Sequence, residues 1–110
     1  MRPRLPPALN ALAAASLLLS ARVAAAPQTY TVIINKMRFE SVPAQVLRGD
    51  VIVWVNRDIF RHTATAVNGS FNVDLLPGAK AQTVMRSAGI VPFTCKYHPG
   101  MRGTLRVAPR

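Results

Sequence analysis

Gly49-Asp50-Val51-Ile52-Val53-Trp54-Val55-Asn56 opens on a turn signal, runs through five consecutive apolar residues and closes on a turn former. The five are all β-branched or aromatic, in a run short enough for one strand and too short for a helix. Because both parities are apolar, this reads as a central strand buried on both faces. Working outward, Gln45–Arg48 is a run that ends at the Gly49-Asp50 turn, and Tyr30–Asn35 is another before it. Met37 and Phe39 continue that earlier run with the inward parity switched, which a bulge or bend near Asn35 would account for. On the other side, His62–Val67 closes at Asn68-Gly69, and Leu75-Leu76 stops at Pro77-Gly78. Ala81–Arg86 reads as a strand leading to Gly89, with Ile90–Cys95 as its hairpin partner. Gly103–Val107 comes last, with Leu105 and Val107 facing in and Thr104 and Arg106 facing out. No segment after Ala26 has a sustained helical period. About seven to eight short, regularly spaced strands predict an all-β fold, a β-sandwich of Greek-key type.

The first quarter reads differently. Arg2 and Arg4 form a positive start, Ala8 to Ala21 carries no charge, and small residues crowd Val23-Ala24-Ala25-Ala26. This is the layout of a secretory signal peptide over residues 1–26, cleaved after Ala25 or Ala26. The competing reading is a retained membrane anchor. The uncharged stretch between Arg4 and Arg22 is only 17 residues long and includes two prolines, Asn10, Ser16 and Ser20. That is at the short limit for a span of about 20 apolar residues, and it favours the signal peptide.

The remaining domain, residues 27–110, has 84 residues. A core of that size gives modest stability, which small exported domains usually supplement with disulfides or a metal. Cys95 is the single cysteine, so no disulfide forms within the chain, and an exported odd thiol calls for a partner chain, a reactive role or a metal. The same segment keeps eleven of the fourteen Lys and Arg residues and all four acids, a net charge of +7. Such a charge favours acidic partners. The basic residues are scattered, with no clustered arm or helix, which argues against nucleic-acid binding.

The whole histidine and cysteine inventory is His62, Cys95 and His98. In Cys95-Lys96-Tyr97-His98-Pro99-Gly100-Met101 a thiolate, an imidazole and a thioether recur every three residues on one short loop, and His62 lies 33 residues before Cys95. Each has an ordinary reading alone: Cys95 as a small buried apolar residue, His62 as a structural or exposed histidine, Met101 as core filler. Together those readings leave the free thiol unexplained. One soft thiolate, two imidazoles and a weak axial thioether make the ligand set of a blue-copper electron-transfer site. Zinc also accepts cysteine and histidine, but structural zinc sites close with four strong ligands, and methionine in fourth place argues for copper.

The stretches from Trp54-Val55-Asn56-Arg57-Asp58 through His62, and from Phe93-Thr94-Cys95 through Met101-Arg102-Gly103, resemble the plastocyanin/azurin family of cupredoxins. The likeness covers nearly all of residues 30–107. The loop with two residues on either side of its histidine is similar to that of the amicyanin branch, whose extra N-terminal residues this shorter chain is expected to lack. The resemblance implies that Asn56 ties the two ligand loops together and donates a backbone hydrogen bond toward the cysteine sulfur. It implies a buried His62, a partly exposed His98 through which electrons pass, and a docking patch of Pro99 and neighbouring apolar residues. Arg57, Arg61, Lys96 and Arg102 fall in or beside the ligand loops, either as a ring steering an acidic partner or as ordinary solvated charges.

Three functions are in play. The first is a periplasmic, monomeric carrier of single electrons holding one type 1 copper ion with His62, Cys95, His98 and Met101, and meeting redox proteins through their acidic surfaces. The second, with the same ligands, is a protein that buffers or delivers copper. The third, a thiol enzyme built on Cys95 and His98, has no orienting acid nearby and no sign of a substrate cleft, so the chain reads as a non-enzyme without stable membrane insertion.

Overall fold

The computed structural model describes residues 1–5, 7 and 26–110. The expected leader's apolar stretch, 8–21, and the small residues 23–25 lie outside the described residues. The described part holds nine strands and no helix. They are β1 (Thr29–Asn35), β2 (Arg38–Glu40), β3 (Val46–Leu47), β4 (Val51–Asn56), β5 (His62–Ala66), β6 (Asn72–Leu75), β7 (Lys80–Val84), β8 (Gly89–Thr94) and β9 (Arg102–Ala108). Two sheets form, in the orders β2-β1-β4-β7 and β3-β9-β8-β5-β6. The pairs β1/β4 and β3/β9 are parallel and the others antiparallel, a mixed pattern consistent with a Greek-key sandwich.

The strand beyond the seven to eight expected is β2, and it corrects the reading of Asn35. The chain does not bulge there; it reverses. Lys36 and Met37 take φ of 50° and 60°, a two-residue hairpin turn that pairs Asn35 with Arg38 and Ile34 with Phe39. Non-glycine residues in this region are strained, and side-chain acceptors compensate: Asn35 Oδ1 takes the Lys36 amide at 3.0 Å and Asp58 Oδ2 takes the Met37 amide at 3.0 Å. The reversal carries Phe39 into the core, where its ring stands 6.0 Å from Trp54 and 4.8 Å from Phe93.

A second correction concerns the strands around Gly89. β7 and β8 are not hairpin partners. β7 pairs with β4 in one sheet, whereas β8 lies between β9 and β5 in the other. The crossing is tied to the Gly49-Asp50 turn, with Gly49 donating to the Met85 carbonyl at 2.7 Å and Met85 to the Asp50 carbonyl at 2.8 Å. The Asp50 carboxylate, fully buried, knots this end. It accepts from the amides of Gln28 at 2.9 Å and Leu47 at 2.8 Å, and from Arg110 Nη2 at 2.5 Å.

β4 is central as expected, between β1 and β7. Its Ile52 and Trp54 are fully buried, and Trp54 Nε1 donates to Thr83 Oγ1 at 3.1 Å, so its one polar atom is satisfied inside the core. Trp54, Phe93, Phe39 and Phe71 form an aromatic cluster between the sheets. β4 ends, β5 begins, β8 ends and β9 begins at one pole. The connections 57–61 and 95–101 therefore meet there, opposite the Asp50 knot.

Candidate metal centre

His62 is the first residue of β5, and the β5/β8 register (Thr65 opposite Thr94) sets the following loop beside it. Past Thr94 the backbone ladder gives way to side-chain acceptors. The Thr63 amide donates to Cys95 Sγ at 3.3 Å, and the Lys96 amide to Thr63 Oγ1 at 2.9 Å. The loop closes on itself at Cys95 and Met101, the Cys95 amide reaching the Met101 carbonyl at 3.2 Å. Within it the Met101 amide returns to the His98 carbonyl at 2.8 Å, a β-turn with Pro99-Gly100 at its centre. This is the reason for the Pro-Gly pair: it sets His98 at the head of a tight turn.

The result is a triangle of donor atoms. Cys95 Sγ lies 3.7 Å from His62 Nδ1 and 3.7 Å from His98 Nδ1. The metal-binding atoms of His62, Cys95 and His98 all fall within 4.8 Å of one another. Cys95, His62 and Met101 are buried, whereas His98 is partly exposed. The other nitrogen of His62, Nε2, faces Asp58 Oδ2 at 2.9 Å. A carboxylate there accepts a hydrogen bond from Nε2–H and leaves the Nδ1 lone pair aimed at the triangle, as metal-ligating histidines require. The Met37 amide, the His62 hydrogen bond and the Ile59 amide hold the Asp58 carboxyl below its usual range against the opposing effect of burial, so it stays ionised. Two imidazole nitrogens and one sulfur, with a buried thioether on the same loop, fit copper.

The pole around His98 is apolar. Phe60 and Tyr97 are half-exposed, Ile59 and Leu76 more so, and the Phe60 ring lies 6.2 Å from that of His98. Pro99 is exposed among them. Of the four cations flagged in the sequence, Arg57, Lys96 and Arg102 are exposed; Arg102 also reaches the Pro99 carbonyl at 3.4 Å. Arg61 is bound by Asp74 in a two-point pair, its Nε at 2.8 Å from Oδ1 and its Nη2 on Oδ2.

The comparisons agree with this geometry. No protein-family model matches the chain. Amicyanin from Paracoccus denitrificans is 32% identical over 80 residues, covering 67% of this chain and 61% of that protein. The Cu(I) form of an amicyanin variant superposes with a TM-score of 0.62 at 27% identity, over 76% of this chain and 85% of that one. This chain is an amicyanin-like cupredoxin. A purple cupredoxin from Nitrosopumilus maritimus shares the fold, with a TM-score of 0.64 at 24% identity, over 71% of this chain and 98% of that one. The aligned part of this cupredoxin thus spans under two thirds of the length of its amicyanin relative.

In this cupredoxin Asn56 acts differently from the family-based expectation. Its amide donates to the Ala79 carbonyl at 3.0 Å, and its side chain is buried between two carbonyls, Phe60 at 2.8 Å and Leu75 at 2.9 Å. Its Oδ1 accepts the Asp58 amide at 2.9 Å. Asn56 therefore braces the 57–61 loop against β6, and Thr63 supplies the bond to sulfur. The sequence reading missed Thr63, Asp58 and Phe60. Thr63 acts largely through its backbone, and neither Asp58 nor Phe60 belongs to a spacing motif, so only their adjacency to His62 hinted at them.

Proposed function

We propose that this cupredoxin is an exported carrier of single electrons, holding one copper ion in a type 1 site through His62, Cys95, His98 and Met101. The observation that carries the reading is the donor triangle with one partly exposed corner. Copper, when bound, supplies a one-electron Cu(I)/Cu(II) couple. The chain's own part is to hold three donors in place before and after transfer. His62 is fixed on a strand with its far nitrogen tied to Asp58, Cys95 Sγ accepts the Thr63 amide, and His98 rests on its Pro99-Gly100 turn. His98 reaches the apolar surface of Phe60, Tyr97 and Pro99, which suits close approach by another redox protein.

The layout of residues 1–26 supports export to the periplasm, with residues 27–110 as a monomeric mature domain. Three of the four acids are held in place, Asp50 by Arg110, Asp58 by His62 and Asp74 by Arg61, while Arg57, Lys96 and Arg102 remain at the site's pole. That supports an acidic docking surface on the partner, and association should slow as salt rises. A rate independent of salt would refute the steering.

The deciding experiment is the visible spectrum of the purified protein after Cu(II) is added. Intense blue absorption from thiolate-to-Cu(II) charge transfer is the expected result. Bound copper without that colour would favour buffering or delivery, and no binding would return Cys95 to a structural role.

A further inference from the structure

Arg61 and Tyr97 each immediately precede a histidine of the donor triangle, one on each ligand-bearing segment. The Arg61 guanidinium lies over the Tyr97 ring, 5.3 Å from its centroid. It does not wander there freely. Asp74, on β6 and opposite Thr63 in the β5/β6 ladder, grips it at two points. Isolated surface ion pairs contribute little, but a two-point arginine–carboxylate pair that also stacks on an aromatic face has a fixed geometry. The three side chains thus run from β6, across the entry to β5, onto the tip of the 95–101 loop. This tip needs holding. Lys96, Tyr97, Pro99 and Gly100 are all exposed, and His98 is the least buried member of the triangle.

We propose that Arg61, fixed by Asp74 and stacked on Tyr97, is a positioning residue that clamps the 95–101 loop against β5 and sets the place of His98 before metal arrives. The purpose assigned to the clamp rests on the copper-carrier reading, while its geometry does not. A donor held in advance loses less freedom on binding and moves less when the charge at the site changes. The clamp also occupies the Arg61 charge, so docking cations at this pole are Arg57, Lys96 and Arg102.

Amide hydrogen exchange on the purified protein, without added metal, reads the clamp directly. The Lys96 and Met101 amides report the loop, because they bond Thr63 Oγ1 and the His98 carbonyl. The Asp50 and Met85 amides, at the opposite pole, report the rest of the fold. Arg61→Ala and Tyr97→Ala should each speed exchange at Lys96 and Met101 about two- to fivefold and leave Asp50 and Met85 unchanged. Asp74→Asn should act in the same direction, and Tyr97→Phe, which keeps the ring, should match the parent. Release of Cu(I) to a chelator should accelerate by a similar factor in the same variants. Unchanged exchange at Lys96 and Met101 in the alanine variants, or equal acceleration at all four amides, would overturn the clamp. Failure of the parent protein to bind copper would overturn the carrier reading instead, and the exchange comparison would still decide the clamp.

Discussion

Gly103 faces Phe93 directly across the β8/β9 ladder, and the sheet there leaves no room for a side chain. A methyl group built at Gly103 would lie 2.2 Å from Phe93 Cζ, 2.7 Å from Cε2 and 2.9 Å from Cε1. All three atoms at the ring's far end collide at once, so a half-turn of the ring brings the same edge back. Nor has the ring space to withdraw. Phe93 is fully buried, with Phe39 and Trp54 at centroid distances of 4.8 and 5.1 Å in edge-on contact and Phe71 at 6.2 Å. Overpacking a core typically costs about 1–3 kcal/mol, and Gly103→Ala should fall at the upper end. In a domain of this size each kcal/mol lowers Tm by about 4–8 °C, so the melting point should drop by about 12–24 °C. Thermal and chemical denaturation of the single and double variants would measure it. Phe93→Leu should destabilise the parent but stabilise the Gly103→Ala background, because it removes the colliding ring end. A Gly103→Ala protein within about 0.5 kcal/mol of the parent, or two substitutions that simply add, would refute this reasoning.

Asn56→Ala removes three hydrogen bonds at a fully buried position and leaves the Phe60 and Leu75 carbonyls without that partner, so it should cost about 3 kcal/mol in urea denaturation. For Asp50, burial alone would raise the carboxyl, but the Gln28 and Leu47 amides and the Arg110 charge outweigh it and hold it below the ordinary 3.8. Its contribution is therefore present above that value and lost as pH falls through the lower folded one; Asp50→Asn should destabilise at pH 7 and flatten the acid limb of a stability–pH curve. Cys95→Ser should abolish the blue absorption, whereas Met101→Leu should keep copper and shift the reduction potential, as spectroscopy and voltammetry would report.

Much of this was legible in the residues because the relevant signals are local. Val51–Val55 gave a central strand, Leu105 and Val107 alternated inward as expected, and Gly49, Gly69 and Gly78 all take positive φ at the turns they marked. The Cys95, His98 and His62 set was equally plain, since the chain has no other histidine or cysteine to confuse it. The misses came from long-range pairing. Lys36-Met37 lacks the Asn-Gly signature of a two-residue hairpin; its strain is offset by Asp58, 21 residues away, which no local pattern reveals. Whether Ala81–Arg86 and Ile90–Cys95 share a sheet depends on what each strand finds across the sandwich, and adjacency in the chain is only a default.

The same long-range contacts explain why the two histidines differ. Asp58 accepts the strained Met37 turn with one oxygen and shares that oxygen with His62, so the hairpin that places Phe39 in the core also fixes His62 from behind. His62 is thereby bound into the folding unit, as buried as Trp54. His98 has no such anchor; it hangs on a Pro-Gly turn, with its chain neighbour Tyr97 lying under Arg61. The proposed carrier role needs this division, because the donor at the surface cannot also be locked in the core. The sequence meets it by fixing one imidazole through the interior and the other from the surface. Substitutions on the His62 side should therefore appear first as lost stability, and those on the His98 side first as altered loop exchange and metal release, with the fold intact.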